Sequence, residues 1–333
     1  MTTDRATLVS EFLDRCGWPN AKRTLLAGDA SFRKYDRITS NNGSAVLMDA
    51  PPPYEDVRPF ILLAKHLVGL GFSAPEIYAS DKDVGLLLIE DLGDDTYKRL
   101  LENGHDEYQL YKLATDVLIS LHQIPASRAI PSGVANYNLD RLLEEVGRLH
   151  EWYMPSVVKE KIDQATVIEF ENIWKHILPS AWLVPTTLVL FDYHIDNLLG
   201  LLDRKGLRAC GLLDFQDAVA GPSTYDLMSL LEDARRDISN ELTTRIKKHY
   251  LDAFPSLNLE AFETSWAVMA AQRHIRVIGT FARLKYRDGK PHYMAHIPRL
   301  WRYVDTCLKH PVLLPLRDWL NIHLPADKRI IPS

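Results

Sequence analysis

Cysteine is scarce: Cys16, Cys210 and Cys307 are the only three in 333 residues, far apart and with no CxxC spacing. Neither a zinc cluster nor a disulfide framework is signalled, and a reducing compartment fits best. No run of about 18 apolar residues occurs, the length a bilayer-spanning helix needs, so no segment reads as transmembrane. The opening MTTDRATLVSEFLDRCGW carries acids inside its apolar pattern and lacks the basic, apolar and small-residue order of a secretory leader. A cytoplasmic location is expected. A dominant charge is missing too: 39 Lys and Arg against 44 Asp and Glu leave −5, which offers no general attraction to nucleic acid or anionic lipid. Neither is expected as a partner, any anion site must be local, and nothing in the pattern fixes an oligomeric state.

The composition is that of ordinary globular material, 46% hydrophobic and 25% charged, enough for two domains or one with two lobes. The first hundred residues mix short alternating segments with turns, whereas most of the chain beyond residue 105 has helical spacing. This predicts an α+β protein with a small antiparallel-sheet lobe and a larger, mainly helical one. A helix over 5–15 precedes strands over 22–27, 31–38 and 44–49, the last two joined through Asn41-Asn42-Gly43, an Asn-Gly hairpin signal. A helix over 57–70 and strands near 76–80 and 84–90 complete the lobe. The acidic segment 89–95 reads as a hinge, which puts the boundary between residues 92 and 93. Helices are expected over 138–153, 158–178, 223–233 and 259–284 among others, with short strands around a polar loop between Pro185 and Asp214.

That loop carries the chemistry. Asp192 and Asn197 lie five apart in FDYHIDN, and Asp214 comes 17 residues after Asn197 in LLDFQD. Three oxygen-bearing side chains from two turns beside buried strands suit Mg²⁺, which takes one or two carboxylates plus phosphate oxygens. Phosphoryl transfer needs such an arrangement, with one carboxylate orienting the attacking hydroxyl and another, with an amide, holding metal. Asp192 is the candidate base, and Asn197 and Asp214 are the candidate Mg²⁺ ligands. Singly, each would be read as a turn cap.

The order of elements, with FDYHIDNLL followed by GLLDFQDAVAGPSTYDLMSLL, resembles the aminoglycoside phosphotransferase and choline kinase branch of the protein-kinase-like superfamily over roughly residues 22–320. More narrowly, GDASFRKY, MDAPPP and FARLKYRDGKPHY are similar to the bacterial anomeric kinases of N-acetylmuramate and N-acetylglucosamine. The resemblance implies a bilobal protein-kinase-like fold, ATP and Mg²⁺ as cofactors, and transfer to the C1 hydroxyl of an amino sugar in cell-wall recycling. By the same resemblance the hinge, with Glu90 and Leu92, offers backbone groups to an adenine edge, and Asp226 braces the catalytic loop.

Two positions depart from the family pattern. Leu190 stands where the catalytic loop usually has His, and Met48 where a strand usually ends in a phosphate-binding Lys. Arg33 or Lys34 could replace that charge beside a phosphate loop from Gly28 to Ser31, in which Gly28 permits close backbone approach. On the acceptor side, residues 272–290 hold six Lys and Arg against the single acid Asp288. Arg276 and Arg283, seven apart on one helical face, are candidates for an acidic group of the sugar. Glu145 and Trp152 are candidates for hydrogen bonding and stacking on it, and His194 and Gln216 lie beside the presumed reaction centre. Rival readings are a kinase of an aminoglycoside, choline or homoserine, and a silent nucleotide-binding pseudokinase. The cationic stretch argues against a polycationic acceptor.

Overall fold

The structure is a computed structural model that describes residues 4–28, 32–41 and 43–332. It divides into two compact units: the chain through Val117 with Ile195–Asp217, and Leu118–His194 with the chain from Ala218 onward.

In the first unit, helix α1 (Arg5–Arg15) precedes β1 (Lys22–Gly28), β2 (Lys34–Ser40) and β3 (Gly43–Asp49). Helix α2 (Arg58–Gly69), β4 (Ile77–Asp81) and β5 (Leu86–Ile89) come next, then α3 (Tyr97–Glu102) and the start of α4 (Glu107–Gln123). The five strands form one antiparallel sheet in the order β1-β2-β3-β5-β4. Alternation along β3 decides its two faces. Ala45 and Leu47 bury against Val9, Phe12 and Leu13 of α1, together with Ile38, Leu86 and Leu88. Val46 and Met48 point the other way, Met48 lying opposite Tyr35 and Leu87 in register. Arg5 ties α1 to the sheet, donating to Asp49 and to the Val84 carbonyl at 2.7 Å. A two-stranded ribbon, β7 (Leu198–Gly200) with β8 (Cys210–Leu212), belongs to the same unit.

The second unit contains α5 (Ala126–Ala129), α6 (Leu139–Arg148), α7 (Met154–Val158), α8 (Gln164–Ile177) and β6 (Thr186–Val189). After the ribbon come β9 (Val219–Pro222), which pairs antiparallel with β6, and then α9 (Tyr225–Leu231) and α10 (Asn240–Asp252). The chain ends in α11 (Leu259–Tyr286), α12 (Ile297–Cys307) and α13 (Leu314–His323). Helix α11 is buried on nearly every side, including Gln272, Arg273, His274 and Arg276, and is the core of the unit. Gly279 lets α6 approach, since a Cβ there would run into the Arg148 backbone.

Several boundaries differ from those expected. The second strand begins at Lys34, so Arg33 precedes it. The helix expected over 138–153 changes to a π turn at Leu149–Tyr153, which takes Trp152 off the α-helical register of Glu145. The helix expected from 158 begins at Gln164, after Lys159 turns the chain in a left-handed conformation. Among the described residues no helix is long and apolar enough to cross a membrane.

Candidate active site

The hinge of the first unit borders a cavity of about 430 Å³. Val46 and Tyr35 of the sheet, Phe60 of α2, Glu90 to Asp94, and Asn197 and Asp214 all line it. At the hinge the Glu90 amide donates to the Glu76 carbonyl at 2.8 Å, and the Glu90 carboxylate receives Arg204. The Leu92 amide makes no hydrogen bond among the described residues. Asp91 and Asp94 each take two hydrogen bonds from Arg37, at 2.7–2.9 Å. Burial of Asp91 opposes its charge, but Arg37 and the Gly93 amide hold its pKa below the usual carboxylate range. These acids therefore fix the hinge backbone.

At another wall of the cavity Asn197 Nδ2 lies 3.4 Å from Asp214 Oδ2. Gln216 Nε2 donates to the other Asp214 oxygen at 2.8 Å and sits 3.3 Å from Asp217. Asp214 has φ +56°, a left-handed conformation that a non-glycine residue holds only when its surroundings impose it. The next residue, buried Phe215, stacks on Phe60 at 5.1 Å. An amide and a carboxylate side by side, facing a cavity, fit a cation that takes few protein ligands and fills its shell with phosphate oxygens and water. Among the described residues no group of three or more His, Cys, Asp or Glu could hold a metal by protein ligands alone.

Arg33 is also here, 3.4 Å from Glu55. Burial pulls against its charge, yet Tyr35, Asp214, Glu55 and Asp217 outweigh that and raise its pKa. Arg33 thus stands in the field of the Asp214 carboxylate, whereas Met48 is buried. Gly28 closes β1 opposite Lys34. Ser31 lies outside the described residues.

In the second unit, β6 delivers the chain to the Asp192 turn. Asp226, at the start of α9, accepts the Leu190 amide at 2.6 Å and the Phe191 amide at 3.0 Å. Phe191 has φ +77° and is stacked on Tyr225, 5.5 Å between ring centres, with Tyr137 edge-on at 5.6 Å. The guanidinium groups of Arg141 and Arg276 lie 4.7 and 4.4 Å from the Phe191 ring centre. The residue before Asp192 is therefore locked by its own backbone hydrogen bond to Asp226, two rings and two cations.

The acceptor-side residues separate. Glu145 and Arg276 come together at 3.8 Å, but both Glu145 oxygens already have partners: Arg141 at 3.0 Å, Tyr137 at 2.5 Å and Gln272 at 3.0 Å. Burial works against the Glu145 charge, and Arg276, Tyr137 and Gln272 overcome it, so its pKa is lowered. Glu145 orients cations. Trp152 does not join this cluster. Burial, then repulsion from Arg148 and Arg287, lowers the Arg283 pKa. His194 is buried, and burial with the nearby Arg235 and Arg273 drives its pKa well below the usual value, so the ring is neutral. Arg37, Arg204, Tyr137 and Tyr225 were not anticipated. Their partners lie between 8 and 135 residues away, and no local spacing marks them.

The geometry has counterparts elsewhere. Residues 22–260 match the family model described as "Phosphotransferase enzyme family". The N-acetylmuramate/N-acetylglucosamine kinase of Caulobacter vibrioides is 35% identical, with 99% of each chain covered. That of Pseudomonas aeruginosa is also 35% identical, over 91% of this chain and 90% of the relative. Among solved structures, a choline/ethanolamine kinase family protein from Mesorhizobium loti aligns with a TM-score of 0.61 at 11% identity, covering 97% of this chain and all of that one. A gentamicin complex of APH(2″)-IIa aligns at 0.59 and 17%, covering 94% and 99%. The sheet-bearing unit and the helical remainder thus have the kinase-like fold, and the chain belongs to the phosphotransferase enzyme family.

Proposed function

We propose that the chain transfers the γ-phosphoryl group of ATP to the anomeric C1 hydroxyl of N-acetylmuramate or N-acetylglucosamine, in the cytoplasm. The observation that carries this reading is the pairing of Asn197 with Asp214 at one wall of a cavity whose other wall is the hinge. Adenine then meets the Leu92 amide and the Glu90 carbonyl, with the phosphates toward Asp214. The relatives at 35% identity, matched over nine-tenths or more of their length, supply the sugar class.

In this mechanism Asp192 accepts a hydrogen bond from the C1 hydroxyl, aligns its oxygen on phosphorus and receives its proton. One O–P bond forms, the bond from phosphorus to the β,γ-bridging oxygen breaks, and ADP leaves. Asn197 and Asp214 would hold Mg²⁺, which when bound neutralises phosphate charge. Arg33 supplies the fixed positive charge that Met48 cannot. Asp226 keeps the Asp192 turn in shape, and Gln216 holds the Asp214 carboxylate in one rotamer. On the acceptor side Arg276 faces the sugar, held in place by Glu145.

The test is ADP release from ATP with a panel of free acceptors. Turnover with N-acetylated hexosamines supports the reading. Turnover only with choline, homoserine or an aminoglycoside moves the chain to another branch of the family, and nucleotide binding with no turnover makes it a pseudokinase.

A further inference from the structure

Arg276 has Glu145 beside it, but a second guanidinium one helical turn away does not. Arg273 is 2% exposed, and its Nε and Nη1 are buried with no hydrogen-bond partner among the described residues. The Asp226 carboxylate feels its charge, but both Asp226 oxygens accept the Leu190 and Phe191 amides and make no hydrogen bond to Arg273. The fully buried Tyr225 hydroxyl likewise has no partner among the described residues. Both groups belong to the neighbourhood of the candidate base. Arg276 and Arg273 attract charge onto the Tyr225 oxygen, and Asp192 repels it. His194, near Arg273, is neutral and cannot balance it.

A buried guanidinium whose N–H groups have no acceptor is unfavourable, as is a buried hydroxyl without one. Two such donors beside a candidate catalytic carboxylate point to an anionic group brought by the substrate. A guanidinium fork matches a carboxylate, which can take two hydrogen bonds from it and still accept a third. N-acetylmuramate carries such a group on its lactyl ether, and N-acetylglucosamine does not.

We propose that Arg273 and the Tyr225 hydroxyl receive the carboxylate of the acceptor sugar, and that this contact favours N-acetylmuramate over N-acetylglucosamine. The inference rests on the amino-sugar reading above. It assigns the discrimination to Arg273 rather than to Arg276, whose charge Glu145 balances, or to the more exposed Arg283.

The experiment measures kcat and KM of wild type, Arg273→Gln and Tyr225→Phe on N-acetylmuramate, its methyl ester and N-acetylglucosamine. Losing the charge-assisted contact in Arg273→Gln should cost about a hundredfold in kcat/KM on the acid, mostly through KM, and less than about threefold on the two neutral sugars. Tyr225→Phe should show the same selectivity with a smaller loss. Equal losses on all three sugars overturn the inference, because they place the charge on the transferred phosphoryl group or on the fold. An unchanged Arg273→Gln also overturns it. If Arg273→Gln does not fold, the wild type still decides: it must prefer the acid to its ester, and equal kcat/KM on the two ends the proposal. Turnover on N-acetylglucosamine without that preference removes this inference alone, whereas turnover on none of the three removes the functional reading beneath it.

Discussion

Asp226 accepts the backbone amide of Leu190 at 2.6 Å and that of Phe191 at 3.0 Å. The family pattern expects a His side chain at position 190 to help hold this turn. Here the Asp226 brace that the resemblance implies holds the turn through its backbone, and Leu190 is an ordinary buried apolar residue. Leu190 is therefore a weak argument for a silent kinase.

Asp192→Asn leaves the turn intact and removes only the base. Turnover should fall by a factor on the order of a hundred or more, with nucleotide affinity nearly unchanged. Single-turnover rates and ATP-analogue titration separate the two effects. A variant with near wild-type turnover would take Asp192 out of the mechanism.

Asp214→Asn should act on metal instead. The side chain keeps one oxygen but loses its charge, so the Mg²⁺ concentration for half-maximal rate should rise by about tenfold or more. An unchanged Mg²⁺ requirement would show that Asp214 does not hold the ion.

Asp226 predicts a pH effect. Burial raises its pKa to about 7, against the two amides and Arg273 and with Asp192 adding to the rise. An acid whose pKa is higher in the folded chain binds a proton on folding between its unfolded and folded values. Its contribution to stability is complete below about pH 4 and fades as the pH climbs to about 7. Asp226→Asn removes this titration, so its unfolding free energy should vary less across that window than the wild type's. Turnover should also fall, because the amide has one acceptor oxygen for two backbone donors. Parallel stability curves in urea would contradict the assignment.

Gly279→Ala tests the close approach of α6 and α11. The new methyl meets Arg148 backbone, which cannot swing aside, and overpacking of this kind costs about 1–3 kcal/mol. Gly200→Ala is the control: its nearest obstacle is the end of the Leu100 side chain, which can rotate. Thermal unfolding should drop clearly for the first variant and less for the second.

Where local pattern and tertiary environment agree, the fold was legible. The Asn-Gly turn placed β2 and β3, and the apolar face of α1 was visible in the spacing of Phe12 and Leu13. Strand β9 escaped because Ala-Gly-Pro offers neither alternation nor β-branched bulk, and its pairing with β6 is long-range. The π turn after Arg148 inserts a shift that helical periodicity does not signal. Of the candidate site, one juxtaposition was legible in the residue types: Asn197 and Asp214 lie side by side. Which cations are balanced was not. Counting Lys and Arg over 272–290 treats Arg273 and Arg276 alike, and only the fold shows that Glu145, 131 residues before Arg276, neutralises one of them.

The most direct test is the chemical position of the product phosphate. After incubation with ATP, Mg²⁺ and N-acetylglucosamine or N-acetylmuramate, phosphorus-coupled NMR should show the ³¹P signal coupled to the anomeric proton and carbon, with the yield abolished in Asp192→Asn. Coupling to the C6 methylene protons, or no phosphorylated sugar at all from a folded, ATP-binding protein, would contradict the account.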